Sequence, residues 1–216
     1  MKHAVDNYQK AYENVTNRAK IILVDARNET KSTLDRLIKD LEVSKHNEQI
    51  QLEGFLDNIK KTLQKLLALD PSCGSLKRKS AMSLGHQVRQ AFDNVECNTV
   101  PQIKRIERMV EQLQRDVLGN IERARCLIFS CRKCVNPRAL TKCVEENASY
   151  AEKILDKTTE SARANVKKIE ALQDEIFKYH QATIVEISRK YRKECDAFLQ
   201  HLNDCISSIR SQKKQR

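Results

Sequence analysis

The sequence has little of what interrupts helices: only 4 Gly and 3 Pro occur in 216 residues, and Trp is missing altogether. Aromatic residues make up 5% of the chain, whereas charged residues make up 32%. An α/β enzyme needs many more turns than this, so the composition argues against that class and is typical of long helices with much solvated surface. We therefore predict an all-α protein with a single domain over residues 1–216.

Long apolar runs are also missing, because the best runs, Ile21–Val24 and Leu66–Leu69, are only four residues long. A membrane span needs roughly 20 apolar residues, so we predict none. The sequence also has no Gly-rich phosphate loop, no nucleophile elbow and no convergent acid pair, and we therefore predict neither an enzyme nor a cofactor. The five histidines have no metal-pair spacing, and we expect them at the surface: His3, His46, His86, His180 and His201.

Apolar residues recur at steps of three and four along three long stretches, which predicts three helical limbs. The clearest interruptions are at residues 70–75 and 135–137. The pattern also lapses between Ser44 and Gln49, which indicates either one continuous rod or two pieces with a bend, and we favour the rod. The predicted fold is an elongated antiparallel three-helix bundle, similar to a coiled coil, whose middle limb is broken near residues 97–101. The predicted helices span about residues 3–69, 82–96, 101–132 and 138–210, followed by a basic tail at 211–216.

The eight cysteines are an even number, which favours a set of disulfides and hence an extracellular setting. In a helical hairpin centred near residue 135, facing residues have numbers that add up to about 270, so Cys126 is expected to pair with Cys143. By the same counting, Cys73 in the first reversal comes opposite the low 200s and is expected to pair with Cys205. The remaining pairs are Cys131 with Cys134, which requires that the helix has ended, and Cys97 with Cys195 by elimination.

A zinc site is the alternative for the four cysteines near the second reversal, Cys126, Cys131, Cys134 and Cys143. A four-thiolate zinc site usually has two closely spaced ligand pairs, and only Cys131 and Cys134 have the usual gap. A redox motif formed by those two residues would be expected in a βαβ context, which the sequence lacks. We therefore favour disulfides and no metal, with zinc-bound or reduced cysteines as the alternative.

The start of the chain, Met1–Asp6, lacks the apolar segment of a secretory signal. We interpret the chain as a mature form with a start Met added for expression, because the cysteines and three glycosylation sequons both favour secretion. The sequons place the acceptors at Asn14, Asn28 and Asn147. These features together predict an extracellular glycoprotein.

The formal net charge is +11 and the isoelectric point is about 9.3, so the protein is expected to attract polyanions. In the antiparallel arrangement, 14 cations converge on one end of the rod and form a predicted site for a sulfated glycan, polyphosphate or acidic protein, with salt-sensitive contacts. The alternative is a merely solvated surface, and the scarcity of aromatic residues argues against nucleic acid. The 14 cations are Lys60, Lys61, Lys65, Lys77, Arg78, Lys79, Arg189, Lys190, Arg192, Lys193, Arg210, Lys213, Lys214 and Arg216.

Small and polar residues in the predicted seam offer another function, because they could leave room for a lipid inside the bundle. The same residues also suit close approach of the helices, so the pattern leaves both readings open. They are Ala148, Ala151, Thr158, Ala162 and Thr183.

The segment Cys126–Cys143, with the sequence CLIFSCRKCVNPRALTKC before a long helix, resembles helical, cysteine-stapled secreted proteins of insects, including the tsetse EP type and helical salivary proteins. The resemblance implies secretion into gut, haemolymph or saliva and a non-catalytic interaction with host or microbial molecules. We thus predict an extracellular binding protein that sequesters a partner through its basic end. The alternatives are an intracellular coiled-coil scaffold with reduced or zinc-bound cysteines and a lipid carrier.

Overall fold

The chain folds into three α-helices in a computed structural model that describes residues 2–214, with side chains described as far as residue 211. Helix α1 spans Lys2–Leu69, helix α2 spans Pro71–Ser130 and helix α3 spans Pro137–Lys214. A short 3-10 turn at Cys131–Lys133 follows α2, and the described residues form no strand. The predicted all-α three-helix bundle is confirmed.

The connection between α1 and α2 is a single residue, Asp70. Its carboxylate accepts hydrogen bonds from two backbone amides at the start of α2, at 3.0 and 3.1 Å, which are otherwise unpaired at a helix N-terminus. Pro71 occupies the first helical position, where its missing N–H is not needed. A Cβ at Gly74 would lie 2.7 Å from the side chain of Leu67, so glycine allows α2 to start close to α1. The helix therefore begins at residue 71 and not near 82.

Helix α2 continues through Pro101, so the predicted break near residues 97–101 is wrong. Pro101 cannot donate to the carbonyl of Cys97, but both residues are exposed and water can bond that carbonyl. The opposite face of the helix is buried at Val95 and Thr99, and the Thr99 hydroxyl donates to the Val95 carbonyl at 2.8 Å. Packing of this face outweighs the roughly 3 kcal/mol that an internal proline costs a helix.

Helix α1 is continuous through residues 44–49, which confirms the predicted rod. Polar contacts replace the apolar pattern in this stretch. Lys45 forms an ion pair with Glu96 of α2, while Glu48 accepts hydrogen bonds from Ser188 and Arg192 of α3. The lapse in apolar periodicity therefore marks a polar layer of the bundle and not a bend.

The second reversal is tied by a disulfide between Cys131 and Cys143, whose Cα atoms are 5.7 Å apart. The predicted pairs Cys126–Cys143 and Cys131–Cys134 are therefore wrong. Counting facing positions assumed that α2 stays α-helical up to the turn, whereas α2 ends at Ser130 and the 3-10 turn brings a buried Cys131 against α3. Cys126 lies on an exposed face and is unpaired.

The chain divides into two compact units, and every helix contributes to both. The first unit comprises Met1–Arg36 with Ile103–Asp174, and the second comprises Leu37–Gln102 with Glu175–Arg216. The core of the first unit is rich in alanine: Val15, Ala19, Ile22, Ala26, Val117, Ala124, Ala151, Leu155 and Ala162. The core of the second unit has larger side chains: Leu52, Ile59, Leu63, Leu66, Val88, Phe92, Ile184 and Leu202.

Candidate functional site: a basic band and an apolar groove

The predicted cations whose side chains the structure describes all belong to the second unit. Side chains are described for 11 of the 14, because Lys213, Lys214 and Arg216 lie outside the described side chains. Lys77 and Arg192 are half-buried. The nine exposed cations are called the basic band here: Lys60, Lys61, Lys65, Arg78, Lys79, Arg189, Lys190, Lys193 and Arg210.

The basic band is spread along the helices and does not converge on one end as predicted. Glu48 contacts Arg192, so the cations at 189–193 lie level with Glu48 on α1. Lys60 is 12 residues further along α1, which corresponds to about 18 Å at 1.5 Å per residue. Arg210 lies 21 residues beyond Arg189, or about 32 Å along α3. The band is therefore suited to an extended partner.

Acidic side chains form ion pairs with only some of the predicted cations. Lys60 pairs with Asp57 at 2.9 Å, Lys190 with Glu194 at 4.0 Å and the half-buried Arg192 with Glu48 at 2.8 Å. Lys60 also holds the pKa of the exposed Asp57 carboxyl below its usual value, chiefly through their hydrogen bond. Among the described side chains, seven exposed cations of the band form no ion pair: Lys61, Lys65, Arg78, Lys79, Arg189, Lys193 and Arg210.

The two segments that contain the basic band carry most of the excess charge of the sequence. Residues 57–79 and 189–216 hold 14 of the 40 basic residues but only five of the 29 acidic ones. These two segments therefore account for nine of the 11 net positive charges. The rest of the chain, although rich in charged residues, is nearly balanced.

A groove between α1 and α2 in the second unit was not predicted from the sequence. Its volume is about 930 Å³, and it extends from Gln49 to Leu67 on α1. Its lining includes the apolar Leu56 and Met82 and the basic Lys60, Arg78 and Arg89. The signal that could have indicated it is Gly85, a glycine inside an apolar helical pattern, which often marks close packing or a gap.

His180 is the one histidine that the structure places differently from the prediction, because it is only 3% exposed. The four others are exposed as expected. His180 Nδ1 lies 3.1 Å from the hydroxyl of Thr99, and burial lowers the pKa of the imidazole. The residue is a polar part of the core, and it does not face the groove or the basic band.

Cys73 and Cys205 are brought together as the register predicted, although they are not bonded. Burial raises the pKa of the Cys73 thiol, and its electrostatic and hydrogen-bond contacts with Cys205 raise it further. The predicted pair Cys97–Cys195 is wrong. Cys97 is exposed, whereas Cys195 is fully buried and burial raises its pKa to about 11.

The zinc alternative for Cys126, Cys131, Cys134 and Cys143 does not fit this structure, because Cys131 and Cys143 are bonded to each other. Within the part of the chain that the structure describes, no group of three or more His, Cys, Asp or Glu side chains is arranged to hold a metal ion.

The three predicted glycosylation sites differ in accessibility. Asn14 and Asn28 are exposed on α1. The amide nitrogen of Asn147 lies 3.2 and 3.3 Å from the sulfurs of the Cys131–Cys143 disulfide, and its side chain is half-buried. Asn147 is therefore a structural contact of the disulfide and a poor glycan acceptor.

The small seam residues proposed for lipid binding pack within the bundle. Ala151, Thr158 and Ala162 are buried, and the Thr158 hydroxyl donates to the Ile154 carbonyl at 2.7 Å. Ala148 is half-buried and Thr183 donates to the backbone one turn earlier. These residues allow close approach of the helices and do not line the groove.

No protein-family model matches the chain, and no curated protein matches it at a significant level.

Of the helices in the described residues, none contains an apolar stretch long enough to cross a bilayer.

Proposed function

We propose that this chain is an extracellular, non-enzymatic binding protein that sequesters a linear polyanion on its basic band. The observation that carries the proposal is the set of seven exposed, unpaired cations, which extends over about 32 Å of one unit. Contacts of this kind steer the partner during association and weaken as salt is added.

A linear partner fits the band better than a compact phosphate does. A single phosphate group contacts cations within a few ångströms, whereas Arg189 and Arg210 are separated by several helical turns. A sulfated glycan or a polyphosphate chain can contact such separated cations one after another. Each contact is weak by itself, and affinity comes from their number.

Secretion is supported by the cysteine chemistry. The Cys131–Cys143 disulfide closes the second reversal, and disulfides of this structural kind are typical of oxidising compartments. The likeness of the Cys126–Cys143 segment to cysteine-stapled insect proteins favours an arthropod secretion such as saliva. The exposed Asn14 and Asn28 are compatible with glycosylation in that setting.

Retention on immobilised heparin, at low and at physiological salt, tests the proposal. The variant with Lys65→Glu, Arg78→Glu and Lys79→Glu reverses three exposed cations that form no described ion pair. We expect it to elute at clearly lower salt than the unmodified protein, with an affinity reduced by at least about tenfold because three favourable contacts become repulsive.

The matched control reverses Arg163, Lys167 and Lys168, which are exposed on α3 in the first unit. It changes the net charge by the same amount and should retain most of the affinity. Equal losses for the two variants would mean that net charge alone causes retention, and the band would have no special role. Retention that does not respond to salt would also contradict the proposal.

A further inference from the structure

The α1–α2 groove of the second unit has the dimensions of a small-molecule site. Its volume of about 930 Å³ lies within the range of roughly 300–1,000 Å³ that is usual for ligand pockets. Between Gln49 and Leu67 it follows 18 residues of α1, or about 27 Å. It is therefore long and narrow enough to favour an elongated ligand.

The lining of the groove is apolar along its middle. Met82, at the edge, has 68% of its surface exposed, although it lies among other apolar residues. Five of the apolar lining residues are already buried in the core: Leu52, Ile59, Leu63, Val88 and Phe92. Leu56, Leu67, Ala81 and Met82 keep part of their surface exposed, and an apolar ligand placed here would remove that surface from water, which is favourable.

Gly85 leaves a gap in the middle of this lining. The residue is buried, yet a Cβ built on it would meet no atom within 4 Å. Inside a helix, glycine is less favourable than every other residue except proline. The space at the Gly85 Cβ is thus open, and a side chain placed there would begin without a clash.

Cations dominate the polar rim. Arg78 lies at the end near the α1–α2 connection and Arg89 lies towards the other end, and neither forms an ion pair among the described residues. Of the two acidic residues that line the groove, Asp57 already binds Lys60. The other, Glu53, lies 17 residues from the connection at Asp70, whereas Arg78 lies eight residues from it. The Arg78 end therefore has a free guanidinium without a competing carboxylate.

We propose that this groove binds a single-chain anionic amphiphile of the fatty-acid class. The carboxylate of the ligand pairs with Arg78, and its alkyl chain follows the apolar lining past Gly85 towards Phe92. Arg78 and Phe92 are 14 residues apart on α2, or about 21 Å, which suits an extended long alkyl chain. This site goes beyond polyanion binding and shares only Arg78 and Lys60 with the basic band.

The test measures the affinity for oleate, kept below its micelle concentration, by displacement of a fluorescent anionic probe. The Gly85→Leu variant fills the gap with a side chain. We expect its oleate affinity to fall by at least about tenfold because alkyl contacts are lost. Its thermal stability should stay the same or rise, because leucine is the better helix former.

Gly119→Leu is the matched control, since Gly119 also lies inside α2 with open space at its Cβ but belongs to the first unit. It should gain the same helix propensity and keep the affinity for oleate. Equal losses in the two variants, or an unchanged affinity of Gly85→Leu, would overturn the site. Failure of the unmodified protein to bind oleate saturably would overturn it as well.

The position of the head group is tested with Arg78→Gln. This variant should bind oleate several-fold more weakly and bind uncharged oleyl alcohol as the unmodified protein does. Equal weakening for both ligands would contradict the placement of the carboxylate. Gly85→Leu should also retain heparin binding, so failure of the groove proposal and failure of the basic-band proposal can be told apart.

Discussion

His180 shows how one buried side chain links the three helices of the second unit. It comes from α3, and the side chains around it come from α1 and α2. Burial lowers the pKa of its imidazole most strongly; the Leu41 carbonyl and Glu96 oppose this change, whereas Lys45 adds to it. The Thr99 hydroxyl lies 3.1 Å from the Nδ1 atom of His180. His180 is therefore neutral in the folded protein near pH 7.

Stability is expected to fall as the pH drops below about 6.5, the usual value for histidine. In the unfolded chain His180 takes up a proton in this pH range, whereas in the folded chain its lowered pKa means that protonation requires a lower pH. The unfolded state then binds more protons, so acid favours unfolding until the folded pKa is passed. Urea unfolding at pH 7.5 and 5.5 measures this change, and His180→Gln should reduce it.

His46→Gln is the control, because His46 is exposed on α1 in the same unit. It should leave the pH dependence unchanged. If both variants flatten the pH dependence equally, or if His180→Gln leaves it intact, His180 does not cause it.

The polar core positions of α3 also explain why its buried face was only partly predicted. Tyr179, Thr183 and Ile187 recur at steps of four along α3, which is the spacing of a buried face, yet Tyr179 is 57% exposed. The buried face carries Gln173, His180 and Ser188 on the same stretch: these residues are polar, so a search for apolar periodicity passes over them. They are accommodated because Arg36, Thr99 and Glu48 respectively contact them.

At the scale of the element, α2 contains two prolines in different positions. Pro71 begins the helix, where no amide donor is required. Pro101 lies inside it, where an amide would otherwise donate to the Cys97 carbonyl. Pro101→Ala should therefore raise the free energy of unfolding by about 1–3 kcal/mol, as measured by urea denaturation.

The same substitution at Pro71 is its matched control. Pro71→Ala should change the free energy of unfolding by less than about 0.5 kcal/mol, because no hydrogen bond is gained. A larger gain at Pro71 than at Pro101 would contradict the view that α2 continues through Pro101 only because its buried face is well packed.

The three helices were predictable because long periodic patterns specify them locally. The start of α3 was placed within one residue, and Asn136 caps this helix by accepting a hydrogen bond from the amide of Arg138 at 2.9 Å. The start of α2 was missed by about 11 residues, although Asp70 and Pro71 specify it. The break at Pro101 was predicted wrongly because local propensity favours it, whereas packing against the other helices, which cannot be read from one segment, decides against it.

At the scale of the whole molecule, the basic band was found by sequence but its arrangement was not. Counting positions on antiparallel rods correctly places Lys60 and Arg78 on neighbouring helices, where they line one groove. The same counting predicted a single cluster of cations, because it did not take into account that residues 189–193 of α3 lie level with Glu48 of α1. The groove was not predicted because a gap at Gly85 depends on the spacing of two helices and not on either pattern alone.

The cysteines provide a prediction at this scale, because the eight residues occupy five distinct environments. Cys131 and Cys143 are bonded, Cys73 and Cys205 are in contact, Cys195 is buried, Cys134 is half-buried, and Cys97 and Cys126 are exposed. Alkylation of the native protein should therefore label Cys97 and Cys126 quickly and Cys195 hardly at all, since burial raises its pKa to about 11. Peptide mapping after alkylation measures each site.

Intact mass then tests the compartment. One disulfide lowers the mass by about 2 Da relative to the reduced chain. A second bond between Cys73 and Cys205, formed by exchange with a disulfide such as oxidised glutathione that leaves as two thiols, would bring the deficit to about 4 Da. The Cys73→Ser variant should not show this second decrease in mass, whereas the Cys126→Ser variant should still show it. If native alkylation also labels Cys131 and Cys143 and the mass shows no deficit, the thiols are reduced, and the intracellular scaffold replaces the secreted protein.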